Sequence, residues 1–262
     1  MPDTLQAPPG RTDTTGPFRR TVAVFTIATW LGAGALLALQ PVVRLDPELL
    51  TLPQFGPSIG VLAVLALRKR PCRISVSLRP TRAVLIRCAA GAGLVAAVLA
   101  LCLGALVAAG RPVHLTGPGS LAGPFWLLAV LQWVGACGEE LGWRAFLQRH
   151  LETRFATPVS AVAVGVLWGT WHVQYYRFGL AFVAAFLVMT VAISLLMSVL
   201  VKGAGAGALL VAGTFHWLLN LGILLLLDFE QGDLVTMAAL AACSAVVAAS
   251  VQGFARRRRS VR

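Results

Sequence analysis

Glu139-Glu140-Leu141-Gly142-Trp143-Arg144 places two adjacent carboxylates and a guanidinium at the end of an apolar run, 124–137, that is broken by few polar side chains. A charged side chain in hydrocarbon costs about 2.5–3.5 kcal/mol even on insertion scales, so such residues mark functional sites. Two further apolar runs carry His172, one helical turn after Trp168, and the pair His216 and Asn220. A carboxylate, a histidine and a bound water form a general-base unit for hydrolysis. A second histidine and an amide can donate to the oxyanion that develops on a scissile carbonyl. The same residues leave a metal route open, because Glu139, His172 and His216 could supply a two-histidine, one-glutamate zinc site. There is no His-Glu-x-x-His helix, no Gly-x-Ser-x-Gly stretch and no metal-binding cysteine spacing.

Helical spacing separates the two glutamates. Glu140 and Arg144 stand at i,i+4 and can pair on one face as structural support. Glu139 lies about 100° around the helix, which leaves it for a cavity. His216 and Asn220 are also i,i+4. In a helix spanning 125–150, Glu139 sits two or three residues past the midpoint, about 3–5 Å at 1.5 Å per residue. His172 and His216 fall near the midpoints of spans expected at 158–180 and 205–227, so three helices bring polar groups to one depth. Each group alone is explicable as a contact between helices, as are Gln132, Thr170, Thr190 and Ser194. His114 and His150 receive no role.

The elements that must position these groups are membrane helices. Of 262 residues, 58% are hydrophobic and 12% charged, about half the charged fraction of a soluble domain, and the mean hydropathy is +0.80. The reading is all-α, a polytopic bundle of about eight transmembrane helices around an intramembrane polar cavity. Spans are expected at 21–39, 49–67, 83–109, 121–150, 158–180, 180–201, 205–227 and 234–251, each approaching the roughly 20 residues that crossing requires. Pro53 and Pro57 interrupt the second. Residues 1–20 read as a disordered cytoplasmic tail, 21–120 as three N-terminal helices, 121–227 as the core, and 228–262 as a last helix with a basic tail.

The net charge of +12 does not indicate nucleic acid, because the basic residues cluster between apolar runs. With both termini cytoplasmic, all but Arg44, Arg111 and Arg177 of the 22 lysines and arginines fall inside, as the positive-inside rule requires. The acidic loop carrying Asp228, Glu230 and Asp233 falls outside. Arg19-Arg20 anchors a run too long for a signal-peptide core of about 7–15 residues. The five cysteines include no Cys-x-x-Cys and suggest no disulfide framework. The expected setting is the cell membrane, with the bilayer as partner and no nucleic acid.

Glu-Glu-x-x-x-Arg at 139–144, aromatic-x-x-x-His at 168–172 and His-x-x-x-Asn at 216–220 resemble the three motifs of the CPBP family. This family comprises the CAAX prenyl endopeptidases and the Abi-type bacteriocin-processing membrane proteases. The resemblance covers about 121–227 and departs at Trp168, where the family usually has Phe, a change that keeps an aromatic wall. It implies an intramembrane endopeptidase acting on a membrane-associated peptide or lipidated-protein substrate. Glu139 would activate water with help from His172, His216 and Asn220 would form the oxyanion site, and Glu140 and Arg144 would support the geometry. No cofactor is assigned. The alternative is a non-catalytic binding or immunity protein keeping the same cavity. A proton-relay transporter is a third reading, disfavoured by the absence of internal repeats.

Overall fold

Backbone groups in hydrocarbon find no water, so a chain this apolar must satisfy its hydrogen bonds within helices. The computed structural model describes residues 15–67, 74–113, 115–227 and 232–260, and all regular structure among them is helical. The order is α1 (Thr15–Val43), a 3₁₀ turn (Leu52–Phe55), α2 (Gly56–Leu67), α3 (Arg82–Ala108) and α4 (Phe125–Gly142). A π turn (Trp143–Gln148) continues α4 into α5 (Arg149–Glu152). Then come α6 (Thr157–Trp171), a 3₁₀ segment (Val173–Phe178), α7 (Leu180–Val201), α8 (Ala208–Leu226) and α9 (Leu234–Ser260).

Among the described residues five helices are long and apolar enough to cross a membrane: Gly16–Val43, Arg82–Ala108, Leu180–Val201, Gly205–Leu226 and Leu234–Ala255. The chain is a multi-pass membrane protein. The other three expected spans take different forms. Prolines lack a backbone N–H, and Pro53 and Pro57 divide the second into the 3₁₀ turn and a 12-residue α2. The fourth is interrupted by the π turn. The fifth stops at Trp171 after 15 residues, with His172 as its C-cap rather than near its middle. Helix α1 begins at Thr15, ahead of the expected start at 21. His114, Cys72, Asp228 and Glu230, and residues 1–14 of the expected tail, lie outside the described residues.

Helix α4 is central, packing on α2 on one side and α8 on the other. Glycines allow the close approach on the α2 side, as small residues do between membrane helices. A Cβ on Gly142 would stand 2.7 Å from the carbonyl carbon and oxygen of Pro57, and Ser58 Oγ donates to the Gly138 carbonyl at 2.6 Å. Gly142→Ala must therefore push backbone apart and is expected to cost about 1–3 kcal/mol, read as a lower thermal midpoint in detergent. An unchanged midpoint would mean that α2 is free to retreat.

Two buried or half-buried amides hold the loop between α1 and α2. Gln40 Nε2 donates to the carbonyls of Leu45 and Leu50 at 2.8 and 3.0 Å, and its Oε1 accepts from Leu52 N at 2.7 Å. Gln132 Nε2 on α4 donates to the Glu48 carbonyl at 2.6 Å. These bonds fix the loop that carries Gln54 towards the middle of α4.

The two ends of the bundle differ in charge. At one end Arg111 meets Asp233 at 3.1 Å; at the other Arg87 donates to the Leu200 carbonyl at 2.6 Å and Arg149 to that of Gly205. Asp233 also caps α9, accepting from Thr236 Oγ1 at 2.6 Å and Val235 N at 3.1 Å. These bonds, Thr236 foremost, hold its carboxyl below the usual range. A depressed folded value stabilises the protein fully above the ordinary value of about 3.9, and the contribution is lost as pH falls through the lower folded value. Asp233→Asn keeps a capping oxygen without that titration. Its melting point should lie below wild type at neutral pH, and the gap should close in acid. A constant gap across that range would refute the assignment.

Candidate functional site

The site forms where α4, the π turn, α6, α7 and α8 meet. Glu139 and Glu140 are buried on α4, Arg144 on the π turn that continues it, and His216 on α8. Glu140 takes two partners. Arg144 Nη1 donates to its Oε1 at 3.2 Å, and His216 Nδ1 meets the same oxygen at 2.9 Å. Arg144 is held on two further sides: Nη2 donates to Ser194 Oγ on α7 at 2.9 Å, and the guanidinium lies over the Trp168 ring, 4.5 Å from its centroid. The π turn that carries Arg144 is a form often found at functional sites.

Glu139 is only 2% exposed and, among the described residues, has no ion-pair partner within 4 Å. Its Oε2 accepts from the Trp168 indole Nε1 at 2.7 Å, and the Gln54 amide interacts with the same carboxylate. The adjacent glutamates thus differ sharply. One is consumed by a cation and a histidine, and the other is held by neutral donors.

The early end of α6 shapes the environment of His172. The His172 N–H turns back to the Gly169 carbonyl at 3.3 Å, so the carbonyl of Trp168 is released from the usual i→i+4 bond. The His172 ring takes it, with Nδ1 2.8 Å from that oxygen. A carbonyl only accepts, so Nδ1 carries the hydrogen and Nε2 of the neutral ring is left as an acceptor. Trp171, Tyr175 and Phe186 pack around the ring, with centroids 4.9, 5.8 and 4.9 Å away. Trp168 also meets the His216 ring edge-on at 5.1 Å.

The structure gathers Glu139, His172 and His216 around Trp168, while Glu140 and Arg144 form a layer behind. Asn220, one turn beyond His216, is half-buried and makes no hydrogen bond to the others. Sequence reasoning named Ser194 as a contact between helices but not as the partner of Arg144, and it found neither Gln54 nor the donor role of Trp168. Ser194 and Gln54 are isolated polar residues in apolar segments, which was the one available signal. Among the described residues no three His, Cys, Asp or Glu side chains converge as metal ligands. Glu139 Oε2 is occupied by an indole, and His216 Nδ1 by Glu140. These bonds leave Nε2 of both histidines as the nitrogens that could face a metal, and no step is derived through one. A polar cleft of about 410 Å³ opens at the basic end of the bundle beside Arg144, Gln148, Glu152 and Lys202.

Fold and site together define a helical membrane protein with a buried glutamate–histidine centre. Residues 121–222 match the family described as Rce1-like, type II CAAX prenyl endopeptidase Rce1-like. Lysostaphin resistance protein A of Staphylococcus aureus, in strains bovine RF122 / ET3-1, Newman and USA300, is 27% identical over 114 residues. That match covers 44% of this chain and 27% of the relative's length, so the chain spans about a quarter of these relatives. Through this segment the chain is similar to the CPBP family.

Proposed function

We propose that this protein is an intramembrane endopeptidase that hydrolyses a peptide bond of a membrane-associated peptide or protein with water activated by Glu139 and His172. The observation that carries the reading is the buried carboxylate of Glu139, which has no ion-pair partner within 4 Å among the described residues, beside a Glu140 whose Oε1 is bound by both Arg144 and His216. Unpaired buried carboxylates are expensive to keep, and a general base is a use that accounts for one.

In the proposed reaction a water molecule donates one hydrogen to Glu139 and the other to Nε2 of His172. Glu139 takes the first proton as the water oxygen attacks the carbonyl carbon. His216, through Nε2–H, and the Asn220 amide donate to the developing oxyanion. With Nδ1 on Glu140, His216 acts there carrying protons on both nitrogens. The proton held by Glu139 then passes to the amide nitrogen as the C–N bond breaks. Aromatic rings around His172 exclude other water.

We further propose that α2 with its 3₁₀ turn, α4 with its continuation and α6 complete an eight-helix unit around this cavity, with the arginine-rich end and both termini cytoplasmic. Purified protein in liposomes, offered peptides that end in or span the bilayer, should release fragments located by mass spectrometry, unaffected by strong chelators. His172→Ala should slow release about a hundredfold. Cleavage at the wild-type rate in that variant would remove His172 from the mechanism. The relatives' name speaks of resistance rather than cleavage, which favours a non-catalytic role as second reading. That role predicts no fragments from any peptide.

A further inference from the structure

We propose that the indole N–H of Trp168 fixes the Glu139 carboxylate for attack, which makes Trp168 a positioning residue; this rests on the hydrolase reading above. An indole nitrogen donates and never accepts, and its 2.7 Å contact with Oε2 has the length of a charge-assisted bond. With Oε2 tied to the indole, the plane of the carboxylate is set for the water, and the Gln54 amide is its second neutral neighbour.

The ring has little freedom to turn away. Trp168 is 3% exposed, one face lies under the Arg144 guanidinium at 4.5 Å, and the His216 ring abuts it at an interplanar angle of 74°. Its backbone carbonyl holds His172 at 2.8 Å. One residue therefore orients both acceptors of the water, the carboxylate through its side chain and the imidazole through its main chain. A phenylalanine at this position would keep the aromatic wall and the carbonyl and lose the N–H. Wall and donor are thus separable by experiment.

The test compares full-length wild type, Trp168→Phe and protein carrying benzothienylalanine at position 168, which keeps the bicyclic shape without the N–H. With a peptide that wild type cleaves, both variants should lose about tenfold to a hundredfold in kcat, the effect of one hydrogen bond to a charged group. KM should stay within about twofold. A benzothienylalanine protein with wild-type kcat, or a loss confined to KM, overturns the proposal. The nitrogen-15 indole signal missing from Trp168→Phe should be the one that moves in Glu139→Gln, and an unmoved signal also overturns it. Should Trp168→Phe fail to fold, the benzothienylalanine protein identifies that signal instead. A wild type that cleaves nothing ends the hydrolase reading and the catalytic role of Trp168 with it. Cleavage by wild type with unimpaired variants ends the positioning role alone.

Discussion

Glu139→Gln is expected to lower turnover by about three orders of magnitude, within the range that a general base contributes, and to leave the fold intact. Glutamine is nearly isosteric, and its oxygen can accept from the Trp168 indole as Oε2 does now. The amide cannot take a proton from water. The stability change should be nil or favourable, because the variant replaces a buried carboxylate lacking an ion-pair partner with a neutral group. Kinetics and a thermal melt on the same preparation check both halves. Turnover near wild type would exclude Glu139 as the base. Loss of activity together with a large drop in melting temperature would assign it a structural role.

Glu140→Gln should give the opposite pattern. Its Oε1 receives both Arg144 and His216, and Arg144 is 1% exposed. Without the carboxylate, Arg144 keeps the Ser194 hydroxyl and the face of Trp168, neither of which carries a charge. Removing one partner of a buried ion pair costs about 3–5 kcal/mol, because the remaining charge is uncompensated. Folded yield and melting temperature should both fall, with activity following because the Arg144 face of Trp168 and the His216 ring are disturbed. The double variant Glu140→Gln/Arg144→Met should recover most of the stability, since it removes both charges at once. A Glu140→Gln protein as stable as wild type would show that this layer is not structural.

Spacing within one helix is what the sequence reports best. The i,i+4 relation of Glu140 and Arg144, and the phase that turns Glu139 elsewhere, follow from helical geometry. They needed no knowledge of neighbouring helices. The midpoints of the runs pointed to a meeting of Glu139, His172 and His216, which gather around Trp168, but not to the position of His172 at the end of its helix. No periodicity shows that α6 ends at Trp171, and it is that ending which releases the Trp168 carbonyl for the imidazole. The second partner of Glu140 was equally hidden, because no spacing rule connects α4 to α8.

What the sequence by itself determined is the helical membrane class and the set of polar residues at the centre, because hydrocarbon leaves a chain few ways to satisfy its backbone and makes each buried charge conspicuous. The tertiary structure alone decided which atom meets which. Trp168 became a donor to Glu139 rather than only a wall, Ser194 became a support of Arg144, and Gln54 was brought from outside the matched segment by a loop pinned through Gln40 and Gln132. Hydrogen bonds are directional and only about 3 Å long. They depend on rotations and approaches between helices that the composition of each helix leaves open.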